Sequence, residues 1–293
     1  MHDSGDYMKK WLRKEVTTDR GIFEIFIKGE GEPLCVTHYY SSYNNTGDYF
    51  AESFTKTNTV YLVNLREAGN SVKASLPYQL SMLESILDLE SIRKSLEVDR
   101  WGFAGHSTGG ILGVVYGIYF SRSLHYLVLV GATAREYVTF SEDCIYNQKH
   151  PDFEEMQFLT NELMQSKSIS EKKRLKKRRT QLSLLDPQKY ETYFSLDIQK
   201  EISATRLAFY NREMHVFDVT KKLKLIDIPC LIICGKYDVQ CPLLYSIEMH
   251  DLILDSNLVV FEESNHYPFL EEEDQFKKEY YEFFYAQFCR SRK

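Results

Sequence analysis

A serine hydroxyl becomes a nucleophile only when a base takes its proton and a third group holds that base in the right tautomer. Gly105-His106-Ser107-Thr108-Gly109 offers such a serine in the pattern G-x-S-x-G. The motif is short, and its weight comes from its setting. RWGFAG before it is apolar and strand-like, whereas ILGVVYGIYF after it is apolar and helix-like. A strand turning sharply into a helix presents the middle residue of the turn at the carboxyl end of a sheet. It needs flanking glycines because a Cβ there would strike the neighbouring backbone. Gly109, Gly113 and Gly117 recur every four residues, leaving one helix face bare for close packing. Neither a P-loop lysine nor a G-x-G-x-x-G accompanies the motif, which disfavours phosphate binding. The apolar run is too short for a membrane dimerisation face.

At such an elbow the partners should follow in the order Ser, acid, His. Asp238 comes after the strand-like CLIICG and before Pro242, and His266 comes after LVVFEE in the loop ESNHYP. Of the eight histidines, His266 alone stands directly after a terminal strand. His106 flanks the serine and is read as packing beside the elbow, at the substrate pocket. Asp227 and Asp251 are weaker candidates for the acid because neither lies just after a strand end. Acyl transfer also needs oxyanion donors. One is expected from the Thr108 backbone N–H, the other from the loop after PLCVTHYY, around Tyr39 and Tyr40.

The elements that must position these residues are legible as hydrophobic patterns. FEIFIKGEG alternates like a half-buried strand, after a polar start that reads as helical. PLCVTHYY, TVYLVNL, RWGFAG, HYLVLVGA, IPCLIICG and NLVVFEE read as buried strands of a mostly parallel sheet. An amphipathic helix is expected from Pro77 to Glu97, and a closing helix over DQFKKEYYEFFYAQF, which packs on the sheet or meets a second copy in a homodimer. Strands alternating with helices define the α/β class, with helices on both faces. The domain plan is an N-terminal extension over 1–20, a core over 21–134 and 221–293, and a helical cap over 135–220. The run EKKRLKKRRT at 171–180 is read as a solvated helix face.

The chain has 293 residues, 43% of them hydrophobic, enough for one large domain. Its net charge of -6 and pI near 5.8 argue against a protein that coats nucleic acid or an anionic membrane. No run of apolar residues reaches spanning length and no signal-like segment opens the chain, so a cytoplasmic location is expected. Six cysteines are scattered through the elements, as suits reduced thiols. Cys230 and Cys234 sit four apart on one strand, about 13 Å at strand rise, too far to share a zinc ion. They read as buried small hydrophobes.

Five landmarks in order resemble the α/β-hydrolase superfamily over about Gly21 to Phe288. They are Thr37-His38, Arg66-Glu67-Ala68-Gly69-Asn70-Ser71, Gly105 to Gly110, Asp238, and Asn265-His266-Tyr267-Pro268-Phe269. Within the superfamily the chain is most similar to the prolyl-aminopeptidase-like serine hydrolases. That resemblance implies an eight-stranded-type, mostly parallel sheet with an inserted helical cap, and Tyr40 by position as the second oxyanion donor. It implies a serine hydrolase that cleaves an ester or amide through Ser107, His266, Asp238 and an acyl-enzyme, with no metal or organic cofactor. The partner would be a small molecule or short peptide. Two departures stand out. His38-Tyr39-Tyr40-Ser41-Ser42 replaces the family's glycine-rich loop, so Tyr39 and Tyr40 are expected to line or narrow the pocket. At the elbow, His106 and Thr108 replace the usual Gln and Trp. A prolyl aminopeptidase would also need carboxylates for a substrate ammonium, with Glu136, Glu142, Asp143, Glu154, Glu155 and Glu213 available. The leading expectation is therefore a small-molecule esterase, amidase or lactonase. An aminopeptidase and a non-turnover ligand receptor on the same fold are the alternatives.

Overall fold

Apolar alternation places β2 at Gly21–Lys28, where the sequence predicts a strand, and the computed structural model, which describes residues 10–290, adds a partner before it. β1, Leu12–Thr18, pairs antiparallel with β2 from Leu12 opposite Ile27 to Thr18 opposite Gly21. The helical reading of this start is thus corrected for residues 12–18; residues 1–9 lie outside the described part. β1 is an edge strand that buries Val16 alone, so it carries no apolar face for a pattern to reveal. Main-chain pairing with β2 defines it instead.

β3 is Glu32–Val36 and β4 the short Ser41–Ser42. They are followed by the single-turn helix α1, Tyr49–Glu52, and by β5, Asn58–Val63. The helix expected from Pro77 divides in two: Pro77–Leu80 is a 3-10 turn, and α2 is Met82–Ser95, with the Ser81 hydroxyl accepting from the Glu84 N–H. This N-cap bond satisfies an amide that has no intrahelical partner, so the helix starts at the serine rather than at the proline. β6, Trp101–His106, leads into α3, Thr108–Phe120, and then β7, Leu124–Val130. Beyond β7 come α4 (Phe153–Gln165), α5 (Ile169–Gln181), α6 (Tyr190–Tyr193), β8 (Glu201–Ile202) and α7 (Ala204–Met214). The chain returns through β9 (Cys230–Gly235), α8 (Leu243–Leu252) and β10 (Ser256–Phe261), and ends in α9 (Pro268–Glu271) and α10 (Glu273–Arg290).

Eight strands form one sheet in the order β1-β2-β5-β3-β6-β7-β9-β10. β1, β2 and β5 pair antiparallel along one edge, and every pairing from β5 to β10 is parallel. Parallel strands buried on both faces need helices on both sides. One face carries a core of Phe23, Ile25, Phe103, Leu129 and Ile232 with α2 and α3, and the other a core of Phe26, Leu34, Val128 and Ile233 with α10. Phe276 and Tyr280 of α10 are wholly buried in that second core, so the closing helix packs on the sheet. At about 1.5–3 kcal/mol per buried large side chain, these two alone fix its place.

Polar ties pin the layers where apolar packing cannot choose a register. The Trp101 indole N–H donates to the Tyr116 hydroxyl (3.0 Å), which donates to Glu90 (2.7 Å), itself paired with Arg93 (2.8 Å). This buried chain joins β6, α3 and α2, the elements that frame Ser107. The five described cysteines are free and buried, as expected of small apolar fillers.

Candidate active site

Ser107 stands between β6 and α3 with φ 56° and ψ -122°, a conformation that costs a non-glycine residue of order 1–3 kcal/mol. The surroundings hold it there. Its N–H donates to the Val130 carbonyl (2.8 Å) at the end of β7, and its carbonyl accepts from Ile111 N–H (3.1 Å) in the first turn of α3. A Cβ on Gly105 would lie 2.2 Å from the backbone of Gly109, and one on Gly109 would lie 2.2 Å from the Thr37 carbonyl oxygen. The elbow is therefore packed against itself and against the loop after β3. The bare face read from Gly113 and Gly117 meets the sheet, because a Cβ on either would come within 3 Å of a side chain of β6 or β7.

His266 and Asp238 come together as their chain order predicts. The histidine Nδ1 lies 3.0 and 2.9 Å from the two carboxylate oxygens of Asp238. Both side chains are buried. The acceptor is a carboxylate, so Nδ1 carries the hydrogen and Nε2 is left as the basic nitrogen. Asp238 is fixed in turn, since its Oδ1 accepts from the N–H groups of Gln240 and Cys241, each at 2.8 Å. The loops bearing the two residues are laced together by Tyr237 N–H to the Ser264 carbonyl (3.1 Å) and Val239 N–H to the Asn265 side chain (3.0 Å). Gly131, with φ 53°, leaves the room they need, as a Cβ there would sit 2.8 Å from Asp238 Oδ2. Asp227 and Asp251 are exposed and hydrogen-bond to no histidine among the described residues.

His106 Nε2 lies 2.7 Å from the His266 carbonyl oxygen, so that nitrogen must carry the proton it donates. Its ring packs 4.5 Å from the His266 ring and 5.0 Å from Phe269. Burial first, then the neighbouring His266, pushes its pKa well below the usual histidine range. It is a neutral brace under the His266 loop.

The tyrosine loop differs from expectation in one respect. Tyr39 does not line the pocket: it is wholly buried, and its hydroxyl donates to the Leu80 carbonyl and to Glu213 (2.6 Å). The Arg206 guanidinium covers its ring at 4.6 Å. The reason is competition for burial: the ring fills the seam between α2 and α7, and the polar tip there finds two acceptors. Tyr40 is only half-buried, its ring edge-on to His38 at 4.6 Å. Just beyond it Ser41 and Ser42 pair with Ile202 and Glu201, so β4 and β8 tie this loop to the helical segment between β7 and β9. A strand there has no need of the missing glycines. The Thr108 hydroxyl lies 3.0 Å from His38 Nε2 and joins the elbow to the same loop. Burial, ahead of Lys200 and His266, drives the His38 pKa well down.

Several supporting residues were missed by the sequence reading. Glu271 accepts from the N–H groups of Asn265 (3.0 Å), Tyr267 (3.1 Å) and Leu185 (2.7 Å), clamping the His266 loop to the helical segment. Ser183 takes the His266 N–H on its carbonyl (3.2 Å) and the Gln240 amide on its hydroxyl (2.9 Å). A carboxylate a few residues past Pro268 could have been read as a reach-back to the amides before a short helix. Gln240 and Ser183 offered no cue.

The fold and this strand-turn-helix elbow define a class. The chain belongs to the α/β-hydrolase fold family, whose model matches residues 25–273. It is similar to an alpha/beta fold family hydrolase from Bacillus anthracis str. Sterne, at 41% identity over 95% of this chain and 99% of that one, with a TM-score of 0.89. An esterase from Exiguobacterium antarcticum (22% identity, 93% of this chain and 99% of that chain, TM-score 0.68) shares the fold. So does a meta-cleavage product hydrolase from Pseudomonas fluorescens IP01 (18% identity, 93% and 97%, TM-score 0.70). No curated protein matches in sequence. Among the described residues no helix is long and apolar enough to cross a membrane.

Proposed function

We propose that this protein is a serine hydrolase of small-molecule esters, with Ser107 as nucleophile, His266 as general base and Asp238 as the group that orients and stabilises the base. The observation that carries the reading is the His266–Asp238 hydrogen bond, held at the carboxyl end of the sheet where the strained Ser107 also stands. Residues held in such backbone conformations cluster at reactive sites.

A substrate carbonyl settles against Ser107, under the helical cap. Ser107 Oγ attacks as its proton passes to His266 Nε2, and Asp238 stabilises the resulting imidazolium through Nδ1–H. The negative oxygen is received by backbone donors, with Thr108 N–H as the first and Tyr40 N–H proposed as the second. The Thr108 N–H opens α3, so it has no partner within the helix. His266 then returns the proton to the leaving alcohol, and water attacks the acyl-enzyme with His266 as base again. No step calls on a metal or an organic cofactor.

Three of the six carboxylates that could receive a substrate ammonium are engaged elsewhere, which favours an ester over the amino terminus of a peptide, whereas Glu136 Oε2 is buried without a hydrogen-bond partner among the described residues. Glu213 is held by Tyr39 and by the Met82 N–H, Glu142 by Lys149 and Glu155 by Arg178. A panel of p-nitrophenyl acyl esters beside proline p-nitroanilide tests the choice. Ester cleavage that exceeds arylamide cleavage by orders of magnitude is expected, and the reverse preference would restore the aminopeptidase reading.

A further inference from the structure

The basic run of α5 does not behave as one solvated face. Arg174 pairs with Glu171 (2.6 Å) and Arg178 with Glu155 (2.6 Å). Arg179, the third arginine of the run, has no carboxylate within ion-pair distance among the described residues. It turns inward instead. Its Nε–H reaches the Thr160 hydroxyl (3.3 Å), and one terminal N–H donates to the Tyr146 hydroxyl (2.9 Å). Tyr146 in turn donates to Gln240 (2.8 Å), whose main-chain N–H holds Asp238. The charge of Arg179 is felt at Tyr40, Tyr146 and Tyr267 together. Tyr267 packs its ring 5.3 Å from that of His266, and Tyr40 packs 4.6 Å from His38. The guanidinium thus faces the tyrosines that ring the candidate site.

A half-buried cation without a counter-charge is costly unless a ligand supplies one. Two of the five guanidinium N–H groups are used, which leaves three on the terminal nitrogens, the pair that grips a carboxylate side by side. The Tyr40 hydroxyl makes no hydrogen bond among the described residues and stands ready as a further donor. The charge count favours a monoanion. Of the other cations near the site, Lys200 already has its ammonium on Asp48 (3.0 Å), and Arg206 is taken up by the carbonyls of Tyr39 and Arg66 and by the Ser85 hydroxyl. A phosphate dianion would call for a second free cation.

We infer that Arg179, held in place by Tyr146 and joined by the free Tyr40 hydroxyl, binds a carboxylate that the substrate carries away from its scissile carbonyl, as in a monoester of a dicarboxylic acid. The inference rests on the hydrolase reading for its chemistry and stands apart from it as a binding claim.

The test compares mono-p-nitrophenyl glutarate with neutral p-nitrophenyl valerate at fixed ionic strength. Wild type should favour the charged ester in kcat/KM by about tenfold or more, the worth of a charge-assisted hydrogen-bond pair. Arg179→Gln should collapse that ratio toward one, chiefly through KM, with Arg179→Lys in between. A wild-type ratio at or below one, or a ratio unchanged in Arg179→Gln, would overturn the inference. If neither ester is cleaved the hydrolase reading fails, and calorimetry on Ser107→Ala decides the anion site alone. Saturable binding of monomethyl glutarate that disappears when Arg179→Gln is added supports the site, whereas absent binding overturns it. Inorganic phosphate binding tighter than monomethyl glutarate would overturn the carboxylate assignment.

Discussion

Asp238→Asn separates the orienting role of this side chain from its structural one. The two N–H donors of Gln240 and Cys241 both point at Oδ1, at 2.8 Å each. An asparagine must keep its carbonyl oxygen there, because the opposite rotamer would set an NH2 group against two N–H donors. The amide nitrogen then occupies the place of Oδ2, 2.9 Å from His266 Nδ1. Nδ1 then faces the NH2 group at 2.9 Å and, at 3.0 Å, a carbonyl oxygen already taken by two N–H donors, so it becomes the acceptor and the proton moves to Nε2, the nitrogen that should receive the serine proton. The base is disabled with the fold intact. The matching substitution in known triads lowers kcat about 10⁴-fold, or about 5 kcal/mol of barrier. The assay is kcat on a p-nitrophenyl ester, with thermal unfolding as the control. A variant that retains wild-type stability and keeps kcat within tenfold would show that Asp238 does not set the His266 tautomer.

Other substitutions probe the scaffold. Gly109→Ala should cost about 1–3 kcal/mol in urea unfolding and lower kcat, because the new Cβ would meet the Thr37 carbonyl oxygen at 2.2 Å; a neutral effect would show that the elbow is loose. Glu271→Ala leaves the N–H groups of Asn265, Tyr267 and Leu185 without their acceptor. A loss of about 2–4 kcal/mol is expected, with kcat falling at least tenfold as the His266 loop shifts, and unchanged kcat would contradict the clamp. Acid should destabilise the fold through His38 and His106, both kept neutral by burial. Their folded pKa values are depressed, so the stability they confer is complete above the unfolded value near 6.5 and is lost as pH falls below it. Each site can contribute up to about 1.4 kcal/mol per pH unit. Thermal unfolding between pH 7.5 and 5 checks this, and a flat midpoint across that range would contradict it.

The sequence revealed the parts of this molecule that obey a period. β2, β5, β6, β7 and β9 bury continuous or alternating apolar runs, β10 carries an apolar run of which Phe261 alone is fully buried, and the Ser, Asp, His order needs only that each residue follow a strand. β1 stayed hidden because an exposed edge strand shows no apolar face. The break at Ser81 was masked because the apolar spacing on its two sides belongs to one continuous row. Tyr39 was misplaced for a different reason: a loop has no period, so nothing in its order says that one tyrosine turns into the seam and the next toward the site. The inward turn of Arg179 did leave a trace. It stands four residues after Leu175, the lone buried residue of α5, and so shares that residue's face.

Activation of Ser107 by His266 is the step on which the proposed chemistry depends. A fluorophosphonate probe followed by peptide mass spectrometry tests it most directly. One covalent adduct is expected on the peptide bearing Ser107, absent in Ser107→Ala and strongly slowed in His266→Ala. A folded wild-type protein that leaves Ser107 unlabelled, or a Ser107→Ala variant that still cleaves esters at the wild-type rate, would contradict it.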